Sequence, residues 1–410
     1  MKKLLACLLC AVLTLTACFV GGLSVAAVQT ETKAVNVWNG EIATALNNGT
    51  GKDIDPYKIT NGAELAYAII NAKADTYYQL QNDIYLNDIN AINWADGTLN
   101  EGYEDYAIRT WFDSSKAAKC QGTFLGNGHV VYGLYFNDTS DFIGYDTSYA
   151  GGGLFPKVGK NCTLNIRQLG IDYAYVRDNY AGAFVGTVGA DPGATETVLA
   201  YLNVSECYTG LNVKVEGYNA ADFVANIRAG QVQLDNVYSL STTVGQTRSA
   251  GSGSNKYYWT ATGMIGELWT SGSVAVYYAY SLNGPVSARN IPAIGQIYSG
   301  AQYDAKTCIT TGLIRTPEQM QGLDALTSTD KLARLTSGKF FATENYVMLK
   351  AFHRGAEEDP VADGNTDIFD LVTIHLDVED KSRFDSACDI NVDGAVDYAD
   401  AESFRCKIIQ

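Results

Sequence analysis

Through most of this chain apolar and polar positions alternate in short runs, a period that predicts strands with one buried face. Leu164-Asn165-Ile166, Leu202-Asn203-Val204, Leu234-Asp235-Asn236-Val237 and Val274-Ala275-Val276 all follow it. A second pattern recurs as Gly153-Leu154-Phe155-Pro156-Lys157-Val158, Ala183-Phe184-Val185-Gly186-Thr187-Val188, Asp222-Phe223-Val224-Ala225-Asn226-Ile227, Gly263-Met264-Ile265-Gly266-Glu267-Leu268 and Pro292-Ala293-Ile294-Gly295-Gln296-Ile297. The copies stand roughly 30 to 40 residues apart, an interval that suits a solenoid whose coils differ at their loops. Each copy has too few strands to bury a face alone, so stacked copies sharing a core are expected. The expected fold is mainly β, a right-handed parallel β-helix, with a propeller or a sandwich as the open alternatives.

Helical periodicity is sparse. Asn61 followed by Glu64 reads as a capped helix start, with Leu65, Ile69 and Ala72 on one face. Thr316-Pro317-Glu318 reads as a second start, threonine capping and proline in the first turn.

At the N-terminus Lys2 and Lys3 precede an apolar run, and Val25-Ala26-Ala27 offers a cleavage point. A secretory leader over residues 1–27 is expected. Leu15-Thr16-Ala17-Cys18 also resembles a lipobox, but Phe19 and Val20 prolong the apolar segment past the cysteine and favour cleavage after Ala27. No later stretch approaches the ~20 apolar residues a spanning helix needs. Cys120, Cys162, Cys207, Cys308, Cys388 and Cys406 follow the leader, far apart and without a CxxC pair, so buried free thiols are expected over disulfides or zinc.

Composition sharpens the choice of partner. With 45 acidic against 29 basic residues the formal charge is −16, and loss of the leader removes two of the basic ones. Nucleic acid and anionic membranes suit such a surface poorly, and cations suit it well.

The acidity gathers near the C-terminus in a defined pattern. Asp389, Asn391, Asp393, Asp397 and Asp400 occupy positions one, three, five, nine and twelve of a loop, with Gly394 at six where the chain must turn. Oxygen donors at that spacing are what a hard cation such as calcium requires, with Ala395 supplying its carbonyl. The spacing returns upstream as Asp359, Asp363, Asn365, Asp367 and Asp370, with Val361 standing where an oxygen-bearing side chain belongs. Two Ca2+ sites are therefore expected, the first the weaker. Short segments that read as helical follow each loop, over 371–378 and 401–409.

These tandem loop-helix units resemble a type I dockerin, the calcium-dependent module that docks secreted enzymes onto the cohesin domains of a cellulosome scaffold. The resemblance implies that Ile368, Phe369, His375 and Leu376 in the first unit and Tyr398, Ala399, Arg405 and Cys406 in the second read the cohesin. Because the two sets differ, docking in two equivalent orientations is not expected. The larger region resembles another family. Trp38-Asn39-Gly40, the run 49–59 and Gln121-Gly122-Thr123-Phe124-Leu125-Gly126-Asn127-Gly128-His129 are similar to bacterial surface proteins with GLUG-type repeats, themselves akin to pectate-lyase-like β-helices. The expected organisation is a leader at 1–27, a β domain at 28–353, a linker at 354–358 and a dockerin at 359–410.

Together the two resemblances imply a secreted component acting in plant polysaccharide binding or breakdown, against the alternative of a non-catalytic adhesin. Enzymatic residues are not evident. Asp172, Arg177 and Asp178 lie close in sequence but read as a turn, and His129 reads as a backbone-bonding turn residue. Tyr257-Tyr258-Trp259, Trp269 and Tyr277-Tyr278 are candidate sugar platforms.

Overall fold

The computed structural model describes residues 36–113, 115–138, 151–189, 199–217, 219–245, 260–282, 294–297, 301–303, 312–314, 316–352, 368–379, 388–390 and 395–408. The described residues all belong to the unit Asn36–Gln410. The leader expected over residues 1–27 lies outside them.

The first helix forms as its sequence dictates. In α1 (Gly62–Ile70) Asn61 Oδ1 accepts from Glu64 N at 3.0 Å, and Glu64 Oε2 accepts from Thr60 N at 2.8 Å. The first bond satisfies a first-turn donor that the helix itself cannot, and the second ties the residue before the cap to the first turn. Leu65, Ala66, Ala68 and Ile69 are buried, whereas Ala72 lies beyond the C-cap Asn71 and takes no part in that face. The second start is also a helix, α2 (Pro317–Met320), but only one turn long.

The strands in chain order are β1 (Tyr57–Ile59), β2 (Tyr77–Leu80), β3 (Ile84–Tyr85), β4 (Ile92–Asn93), β5 (Thr98–Leu99), β6 (Gly122–Asn137), β7 (Phe155–Val158) and β8 (Thr163–Arg177). After them come β9 (Tyr180–Gly182), β10 (Val185–Val188), β11 (Ala200–Thr209), β12 (Val213–Gly217), β13 (Asn219–Ala221), β14 (Val224–Ser239) and β15 (Thr242–Gly245). The last are β16 (Thr260–Thr262), β17 (Ile265–Ser281), β18 (Ile294–Ile297), β19 (Gln302–Tyr303), β20 (Gly312–Ile314), β21 (Phe340–Phe341) and β22 (Met348–Leu349).

One sheet takes 15 of these strands, and all its pairings are parallel. The three strands β9, β13 and β16 make a separate parallel sheet. The recurring cassette is legible in the register: Phe155, Val185, Val224, Ile265 and Ile294 stand side by side across five strands. The second pattern also pairs, with one correction. Leu164, Leu202, Val232 and Val274 are neighbours, so the third copy is Val232-Gln233-Leu234 and not the run from Leu234. A period of two fixes which face is buried but not a slip by two residues.

The closed solenoid expected from these cassettes is not found among the described residues, and the right-handed β-helix is replaced by one large, branched, mostly parallel sheet. The reason lies in strand length. In β14 and β17 the cassette and the segment after it run on as single strands of 16 and 17 residues, paired almost throughout. Positions read as turns between separate faces are instead irregularities within one sheet, such as the shift between Ile227 and Ala229. Left-handed residues mark other bends: Gln168, Glu206, Asn236 and Tyr278 have φ of 52°, 53°, 53° and 47°.

The principal core runs along the stack, where Phe124, Phe155, Phe184 and Phe223 are buried, the last two with rings 5.0 Å apart and nearly parallel. A second core lies under residues 320–352. There Tyr208, Tyr238 and Tyr280, in register on adjacent strands, stack at 5.0 Å steps beneath Phe340, Leu349 and Phe352. Near the C-terminus two further helices form, α3 (Ile368–Glu379) and α4 (Tyr398–Ile408), where the sequence predicts them.

Candidate functional site

The two C-terminal helices share a small core. Leu371, Ile374 and Val378 of α3, at spacings of three and four, bury one stripe against Ala401 and Phe404 of α4, with Cys388, Ile390 and Val396 from the chain before α4. That packing sets the loop 389–400 at the root of α4.

Of the second loop's donors, Asp389, Ala395, Asp397 and Asp400 are described, and Asn391 and Asp393 lie outside the described residues. Asp389 and Asp400, at its first and twelfth positions, both have no solvent exposure, and Ala395 is buried. Asp397 Oδ1 accepts from Ala399 N at 2.7 Å, and Asp400 Oδ2 accepts from Asp397 N at 2.9 Å. This reciprocal pair caps α4 and orders the last four positions of the loop. Of the first loop, Asp359, Asp363, Asn365 and Asp367 lie outside the described residues. Asp370 falls in α3 with its side chain undescribed. Among the described residues no group of three or more His, Cys, Asp or Glu side chains is arranged to hold a metal.

The donor chemistry nevertheless fits calcium. The polar side chains described at the second loop's donor positions are all carboxylates, and two are withdrawn from water beside an apolar core, where ionised oxygens need a compensating charge or donors. A nearby sulfur, that of Cys388, is buried among the apolar side chains of the helix pair.

The helices' outer face carries a pattern the spacing rule would have found. Ile368, Val372 and Leu376, four residues apart on α3, are 55%, 48% and 65% exposed, and Tyr398 at the start of α4 is 61% exposed. His375 lies beside Tyr398, ring centres 5.9 Å apart. Ile368, His375, Leu376 and Tyr398 are among the residues expected to read a partner, and Val372, exposed between them, is not. On α4 Arg405 is bound to Glu402 at 2.6 Å, and Ala399 is exposed. The side chains of Phe369 and Cys406 are not described.

Elsewhere, Asp172 and Arg177 lie within β8 and not in the turn expected, and Asp178 directly after it is buried. Asp172 Oδ1 accepts from Tyr173 N and Asn212 N, Arg177 lies 3.8 Å from Glu216, and Asp178 accepts from Asn179 N. Burial raises the Asp178 carboxyl to about 8. His129 Nδ1 lies 3.2 Å from Asp83 Oδ1. Trp269 is covered by Arg228, whose guanidinium carbon sits 3.6 Å from the ring centre. Tyr278 packs in the second core, and Tyr257, Tyr258 and Trp259 lie outside the described residues.

No family model and no curated protein matches this chain. A Bacteroides ovatus crystal structure described as a "putative immunoglobulin A1 protease" is similar at a TM-score of 0.34 and 18% identity. The match covers 62% of this chain and 66% of that one, a likeness too slight to carry an argument about fold or activity.

Proposed function

We propose that this chain is a secreted component that attaches, calcium-dependently, through its C-terminal dockerin-like segment to a cohesin-bearing scaffold. Its β region then acts in binding or breaking down plant polysaccharide. One observation carries the reading: a twelve-position loop with buried carboxylates at both ends caps a helix whose neighbour, α3, leaves an apolar stripe in solvent. Asp389, Asp397, Asp400 and the Ala395 carbonyl would hold the ion together with Asn391 and Asp393. Bound calcium would offset the negative charge gathered where Asp389 and Asp400 are buried.

In this reading α3 presents Ile368, Val372 and Leu376 to the cohesin, while α4 carries the exposed Arg405–Glu402 ion pair. Docking then has one orientation. An exposed apolar stripe on a small module is the ordinary sign of a protein interface. Calorimetric titration of the full chain against a panel of cohesins, in calcium and in chelator, tests it. Binding in calcium that chelator and Asp389→Ala both abolish is the expected result; no binding to any cohesin in calcium would sink the docking reading.

For the β region a binding role is favoured over a catalytic one. Asp172 and Arg177, within β8, and Asp178 directly after it already have partners in Tyr173, Asn212, Glu216 and Asn179. Release of unsaturated or reducing sugars from pectin or xylan would reverse that preference. Neither retention by polysaccharide nor product release would favour an adhesin.

A further inference from the structure

One face of strands β8, β11, β14 and β17 is open to solvent, and its side chains line up in rows. Parallel register sets Asn165, Asn203 and Gln233 side by side, and Tyr201, Gln231 and Ser273 in the row beside them. The alternate positions, Leu202, Val232 and Val274, are buried, which fixes both rows outward. Asn203, Gln231 and Gln233 are exposed, and Tyr201 is 41% exposed.

The rows floor an open trough of about 380 Å³. In one of them the amides are already aligned: Asn203 Nδ2 donates to Asn165 Oδ1 at 2.8 Å, and Asn165 Nδ2 donates to Thr123 Oγ1 at 3.2 Å. Among the described residues no Asp, Glu, Lys or Arg lines the trough, although the chain carries 45 acidic and 29 basic residues. Among the described lining residues a ligand meets neutral groups only. An amide both donates and accepts, as does each hydroxyl of a sugar. An aromatic ring with a polar tip, as in Tyr201, offers an apolar face together with a hydrogen bond. Neighbouring strands repeat these groups every ~4.8 Å, so the same contacts recur along a line crossing the strands.

We propose that this face binds an uncharged, extended polysaccharide laid across β11, β14 and β17, with Tyr201 under a sugar ring and Gln231, Gln233 and Asn203 bonded to its hydroxyls. The proposal rests on the polysaccharide half of the function proposed above, and gives it a site and a ligand class. An acidic polymer is disfavoured because the described lining of the trough holds no cation to pair with it.

The test uses the full chain in calcium, with insoluble cellulose and β-mannan as neutral probes and polygalacturonate as the charged one. Retention on a neutral probe and not on polygalacturonate is expected. The double variant Tyr201→Ala/Gln231→Ala should lower that retention about ten-fold, roughly 1.4 kcal/mol in binding, with an unchanged melting temperature because both side chains are at the surface. Gln231→Asn alone should lose less than Gln231→Ala. Retention that the double variant leaves intact overturns the site and spares the polysaccharide reading. Preference for polygalacturonate overturns the ligand class, and no retention on any polymer overturns both the site and the reading beneath it.

Discussion

Asp222 sits wholly buried in the sheet, its carboxylate accepting from the hydroxyls of Ser239 and Ser241. Burial raises it to about 7, against the pull of those donors. A carboxyl raised in the folded state keeps its proton at pH values where the unfolded chain has lost it. Its contribution to stability is full below the ordinary carboxylate range and is lost as pH rises through about 7. We therefore expect the melting temperature to fall between about pH 5 and about pH 8, and Asp222→Asn to flatten that fall. Each ten-fold weakening of an acid on folding corresponds to about 1.4 kcal/mol, so the difference should be on the order of a few kcal/mol; equal slopes in the two proteins would refute it. Cysteine follows the same logic. Burial raises the Cys120 and Cys207 thiols to about 12, and with Cys162 they are buried and free. A thiol-specific reagent should label these three only when the chain is unfolded. Their state was legible in the sequence, since cysteines so widely spaced offer no disulfide framework.

Elements differ in how much of them the sequence carried. The cap of α1 was written locally, in Asn61 and Glu64, so Asn61→Ala should cost about 1 kcal/mol in denaturant unfolding. The apolar stripe on α3 was also local, at positions 368, 372 and 376, but a comparison with dockerins selects single positions and passed over Val372. Val372→Asp and Leu376→Asp should each weaken cohesin binding at least about ten-fold and leave helix content by circular dichroism unchanged. Arg405→Ala, which breaks only an exposed pair with Glu402, should change it by less than about three-fold, the scale of a surface ion pair. If Arg405→Ala is the more damaging variant, the docking face has been assigned to the wrong helix. The strands behaved otherwise. Their apolar faces were evident, yet the pairing of Leu202 with Val232 instead of Leu234 was not, because neighbours two apart look alike to a period of two.

At the scale of the molecule, the C-terminal segment has, among its described residues, only eight buried apolar side chains in its core, little to hold two helices and a set of acidic loops together. Calcium should supply the rest. Limited proteolysis of the full chain should cut within 359–410 in chelator and spare it in calcium, and Asp389→Ala should remove the protection. Cleavage indifferent to calcium would end the metal reading.

By itself the sequence determined what depends on near neighbours: a mainly β chain, the cassette and its spacing, the capped helices, the oxygen donors at loop positions and the separation of the cysteines. These follow from side-chain chemistry and periodicity within a few residues. Tertiary structure alone decided how the cassettes join. Whether a strand turns a corner or runs on through an irregularity depends on the strand beside it, and β14 and β17 run on together as parts of one sheet. It also brought Asn212 to Asp172 and Glu216 to Arg177, partners far along the chain that no local pattern could pair. The neutral trough across β11, β14 and β17 has the same origin, since side chains 30 or more residues apart become neighbours only through parallel register.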